Sequence, residues 1–83
     1  MSIVRYRSDE GVRTGAVMIA NKWLYWLPVD YPVRVYRIPK SELQYMESLD
    51  YSPNKFRKTI RRMIRAGQTP VSKNVKRVLK EAI

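Results

Sequence analysis

The 83-residue chain has no cysteine and no histidine. Disulfides and thiolate metal sites are therefore excluded. The commonest metal ligand and the commonest general base at neutral pH are missing too. Zinc-finger arrangements fail on the same ground. A reducing compartment fits this composition, as would any other redox environment. No stretch approaches the roughly eighteen consecutive apolar residues of a membrane span. Residues 1–11 alternate apolar and charged side chains and lack the apolar segment of a secretory leader. The expectation is a soluble protein of the cytoplasm or nucleoid, without membrane contact.

Acidic charge is scarce as well. Seventeen Lys and Arg face seven Asp and Glu, a net charge of +10. The imbalance is local: Met1 to Asp50 holds seven cations and six anions, whereas Tyr51 to Ile83 holds ten and one. Unbalanced positive charges oppose compaction by self-repulsion, so a surplus gathered in the last third points to an anionic partner. Nucleic acid is the first candidate, and an acidic protein surface the second.

The carboxylates are Asp9, Glu10, Asp30, Glu42, Glu47, Asp50 and Glu81. Only Asp9 and Glu10 are adjacent, and neighbours in a hairpin point apart, so no paired general acid and base is indicated. A metal-dependent nuclease would need several clustered carboxylates, which this spacing does not supply. Gly11, Gly15 and Gly67 fit no phosphate-cradling loop. The reading is non-catalytic, with no cofactor and no metal.

The length suits one domain, and the predicted class is α+β. Residues 1–40 read as a meander of four antiparallel strands: Ile3–Arg7, Val12–Ala20, Trp23–Val29 and Val33–Ile38. Ser8-Asp9-Glu10-Gly11, Asn21-Lys22 and Asp30-Tyr31-Pro32 supply the turns. Residues 41–83 read as helical and basic. Ser41 followed by Glu42, Leu43 and Gln44 suggests a short helix to about Leu49. Ser52-Pro53 starts a second helix, which Gly67 is placed to terminate in a left-handed conformation. Thr69-Pro70 starts a third, running to about Ala82. Short twisted strands joined by tight turns must curl or be covered to bury a face. The succession of strands resembles a small SH3-like or Tudor-like barrel, which implies a bent sheet or partial barrel over about half of the chain.

At 100° per residue, Phe56, Ile60, Met63 and Ile64 fall on one stripe and Lys58, Arg61, Arg62 and Arg65 on the opposite one. The last helix repeats this, with Val71, Val75, Val78 and Leu79 opposite Lys73, Lys76, Arg77 and Lys80. Ordinary surface helices also carry cations opposite their apolar stripe, but they interleave Glu at i,i+4 spacing. Here only Glu81 interrupts the series. The eight cations are therefore assigned to phosphate contacts, with Lys55 and Arg57 at the rim. Met63 to Leu79 resembles a helix-turn-helix, with Ala66-Gly67 at the turn and a second helix from about Ser72. That resemblance implies that Ser72, Lys73, Asn74, Lys76 and Arg77 face a groove, with Asn74 suited to adenine and Arg77 to guanine.

Trp23, Tyr25 and Trp26 share one strand, so aromatic rings fall on both of its faces. They serve either as core, being the natural large residues for so small an interior, or as a platform on which bases stack. The combined expectation is a nucleic-acid-binding accessory protein of transcription or of a nucleoprotein. The alternative is an interaction module that docks an acidic surface of a larger host or nucleoprotein machine and modulates it.

Overall fold

Alternating side chains commit the first half of the chain to strands, and a switch to helical periodicity after Ser52 commits the second to helices. A computed structural model of the protein describes residues 2–82. Its elements are β1 (Ser2–Ser8), β2 (Gly11–Ala20), β3 (Trp23–Pro28), β4 (Tyr36–Pro39), a 3-10 helix (Lys40–Tyr45), β5 (Met46–Ser48), α1 (Pro53–Gly67) and α2 (Lys73–Glu81). The strands form one antiparallel sheet in the order β4-β3-β2-β1-β5. The class is thus α+β, an open sheet followed by helices.

The sheet has five strands, one more than the sequence suggested. The extra strand lies inside the segment expected to be a short helix over Ser41–Leu49. Met46, Glu47 and Ser48 pair instead with Tyr6, Arg5 and Val4 of β1, so backbone groups find partners in the sheet. What remains of that helix is the 3-10 turn, whose start has no side-chain cap and whose Leu43 stays 45% exposed. Leu43, Met46 and Leu49 therefore form no common buried stripe.

Strand pleating divides the apolar residues of the sheet between two faces. On one face Ile3, Ala16, Met18 and Leu27 pack against Phe56 and Ile60 of α1 and Val75, Val78 and Leu79 of α2. On the other, Val4, Val17, Leu24 and Trp26 form a second cluster, joined by Tyr6, Ile19, Tyr36, Ile38 and Met46. Burial of both faces explains why the centre of β2 and most of β3 contain so few polar residues.

Helix α1 begins as expected: Pro53 occupies the first turn, and the Ser52 hydroxyl accepts the Lys55 backbone N–H at 3.4 Å. Its end differs. Gln68, not Gly67, takes the left-handed conformation (φ 49°), and its N–H returns to the Arg65 and Ile64 carbonyls. Gly67 is still helical, and its missing side chain makes room for the Tyr31 ring. Helix α2 starts later than expected. Ser72, not Thr69, caps it, accepting the Val75 N–H at 3.2 Å.

Candidate nucleic-acid interface

Each helix docks by the stripe that its periodicity defines. Phe56 and Ile60 of α1 are buried with Val75, Val78 and Leu79 of α2, which turns the intervening residues outward. Lys55, Lys58, Arg61, Arg62 and Arg65 of α1 are exposed, as are Lys73, Lys76, Arg77 and Lys80 of α2. Ion pairs on the sheet side, Arg5–Glu47, Arg13–Glu10 and Arg13–Asp30, use acids of the first half among themselves. The single carboxylate paired with a helix cation among the described residues is Glu81, 3.8 Å from Arg77.

Between the helices runs an open groove of about 680 Å³. Arg57 and Arg61 line it from α1, Lys76 and Lys80 from α2, while Ile64, Val71 and Leu79 contribute apolar surface. Arg61 of the first cationic stripe thus meets Lys76 and Lys80 of the second along one furrow, while Lys58, Arg62, Arg65, Lys73 and Arg77 stand outside its lining. Arg57, expected at the rim of the charged surface, also has a structural part. Its Nε donates to the Leu79 carbonyl oxygen at 2.9 Å and its NH1 to Asn54 Oδ1 at 3.3 Å, which ties α1 to the last turn of α2. A cation at the last turn of α2 also complements the helix dipole.

Asn74 and Arg77, the residues assigned to base reading, are both exposed on α2. Arg77 lies over the Tyr25 ring, 5.5 Å from its centroid. The segment joining the helices, Gln68–Ser72, is five residues long, against about three or four in a helix-turn-helix.

The aromatic residues separate by face. Trp26 is 3% exposed and packs edge-to-face on Tyr6, with 5.3 Å between centroids. Of the two roles open to it, core or stacking platform, Trp26 takes the first and is withdrawn from the stacking candidates: its strand position points it into the second cluster. Trp23 and Tyr25 alternate with it onto the helix side and remain partly exposed. Each lies under a guanidinium, Arg37 at 4.7 Å from the Trp23 centroid and Arg77 from α2 over Tyr25.

Arg34 and Arg37, exposed cations around β4, were not singled out from the sequence. Arg37 pairs in register with Tyr25, and that register is unreadable from the chain because a long connection separates β3 from β4. Away from the helices, Tyr6 donates from its hydroxyl to Glu42 Oε2 at 2.8 Å. Burial, that hydrogen bond and the nearby Glu42 and Asp9 charges push its pKa up to about 12.

Among the described residues no group of three or more acidic side chains could hold a metal ion, and no helix is long and apolar enough to cross a membrane. Comparison with protein families, curated proteins and solved structures gives no significant match.

Proposed function

We propose that this protein binds nucleic acid without catalysing a reaction on it, through the phosphate backbone. The observation that carries this reading is the groove between α1 and α2, where Arg57, Arg61, Lys76 and Lys80 stand together with no carboxylate in the lining. Lys55, Lys58, Arg62 and Arg65 extend the cationic surface over α1, and Lys73 and Arg77 extend it over α2. A phosphate backbone needs positive charge at several points, and arginine adds a planar fork that grips two oxygens at once. The proposed setting is the cytoplasm or nucleoid, as an accessory factor of transcription or of a nucleoprotein. A 3-10 helix between β4 and β5, with β5 returning to pair with β1, supports reading the sheet as a partial SH3-like barrel.

Titration with oligonucleotides across a range of salt concentrations tests the reading. With roughly six phosphate contacts, the logarithm of affinity should fall against the logarithm of salt with a slope of about −5. A flat salt dependence, or no binding at low salt, sinks it. The second reading, docking on an acidic protein surface, draws on the apolar Ile64, Val71 and Leu79 in the same groove. Retention of a partner after nuclease treatment of a lysate favours it.

A further inference from the structure

Phosphate contacts alone do not distinguish paired from unpaired strands. The sheet beside α2 carries side chains of another kind. Along β3, Trp23 and Tyr25 project to the helix side, and Arg37 of β4 stands opposite Tyr25 in the register. Arg37 lies over the Trp23 indole at 4.7 Å, and Arg77 reaches from α2 over the Tyr25 ring at 5.5 Å. Two rings and two guanidinium groups thus form one patch that runs from the sheet edge onto the basic helix. Exposed Lys22 immediately precedes Trp23, and exposed Lys40 follows Pro39, the register partner of Trp23. Among the described residues no carboxylate pairs with Lys22, Arg37 or Lys40.

We infer that this β3–β4 edge is a stacking platform for unpaired bases, and that the ligand class is single-stranded nucleic acid. The inference rests on the nucleic-acid reading of the helices and adds the choice of strand state. Unpaired bases stack on aromatic rings and on guanidinium planes alike, and a duplex keeps those base faces inside its own stack. Arg37 is exposed, so the outer face of its guanidinium remains open while its inner face rests on the indole. Lys22 and Lys40 supply cations for the phosphates that flank a stacked base. Arg77 belongs to both surfaces and makes them continuous, so a strand lying along α2 reaches the rings without leaving positive charge.

The test compares a single strand and a duplex of equal length, at one salt concentration, against the wild type, Trp23→Ala and Arg37→Gln. Trp23→Ala should weaken single-strand binding about tenfold, within the range of one lost stacking contact, and leave duplex binding within about twofold. Arg37→Gln should shift the ratio in the same direction, and it leaves the Trp23 ring in place should Trp23→Ala fold poorly. Wild-type tryptophan fluorescence gives a readout without any substitution: single strand should quench it and duplex should not, since Trp26 is buried. Equal losses for both ligands, unchanged single-strand affinity in both variants, or no quenching overturns the platform and leaves the helix reading standing. Failure of the wild type to bind either oligonucleotide overturns both.

Discussion

The guanidinium of Arg57 on α1 holds the carbonyl oxygen of Leu79 on α2 at 2.9 Å. A residue that sequence position places at the rim of a charged surface thus fastens one helix to the other. Its fork is divided between Leu79 and Asn54, which leaves a cation in the groove that is already committed to structure.

Replacing Arg57 should therefore cost stability where its neighbours do not. Arg57→Ala is expected to lower unfolding free energy by about 1.5–3 kcal/mol, the usual worth of a hydrogen bond that involves a charged group. Arg57→Lys keeps the charge and loses the fork, so it should recover polyanion affinity better than stability. Denaturant melts beside oligonucleotide titrations separate the two effects.

Arg61 and Arg62 have no carboxylate partner among the described residues. Arg61→Glu combined with Arg62→Glu should leave the melting temperature unchanged or higher, because like charges are removed from one helix. Oligonucleotide affinity should fall, and the salt slope should shrink in magnitude by about two. Unaltered affinity in this double variant would remove α1 from the interface.

Two glycines should respond in different ways to alanine. A Cβ on Gly15 would lie 2.7 Å from Pro28 Cα and against the Leu27 carbonyl oxygen, both backbone atoms of the paired strand. Gly15→Ala should cost more than about 2 kcal/mol, since the strands must separate. The atoms nearest to a Cβ on Gly67 would be those of the Tyr31 ring, 2.6 Å away at Cε2, and Tyr31 is 63% exposed with room to turn aside. Alanine there gains about 1 kcal/mol of helix propensity. A double-mutant cycle with Tyr31→Ala should show Gly67→Ala more favourable once the ring is gone.

Tyr6 offers a test by pH. Its folded pKa is raised from 10.0 to about 12, so the folded state holds the phenol proton more tightly than the unfolded chain. The stabilisation is complete below pH 10 and is lost as pH rises toward 12. Tyr6→Phe should flatten stability against pH across that window. An identical alkaline decline in wild type and variant would count against the raised Tyr6 pKa, and so against its burial beside Glu42.

Local signals made β1, β2, β3 and α1 readable, whereas β4 starts at Tyr36, three residues after the expected Val33, because only from Tyr36 on does the chain pair with β3. Val12–Ala20 and Trp23–Val29 lie within a residue of β2 and β3, because alternation and the Asn21-Lys22 reversal fix both ends. Asn21 accepts the positive φ of 55° that the turn imposes. β5 was not readable: three residues are too few to show a period of two, and the spacing of Leu43, Met46 and Leu49 imitates a helix. At α2, Thr69-Pro70 and Ser72 are competing start signals, and Ser72 won, leaving Val71 outside the helix and 39% exposed. The outward cations were legible because helical periodicity fixes a face before packing is known. The Arg57–Leu79 tie and the position of Arg37 on Trp23 join segments far apart in the chain, and only tertiary packing brings them together.

Helices rich in positive charge on one side of a sheet, with anions confined mostly to its strands and loops, give this 33 Å object a permanent electric moment. Any large anion exerts a torque on such a body before contact and turns the helices toward itself. Collisions are then oriented in advance, so dilute electrolyte should change the frequency of productive encounters more than the lifetime of what they form.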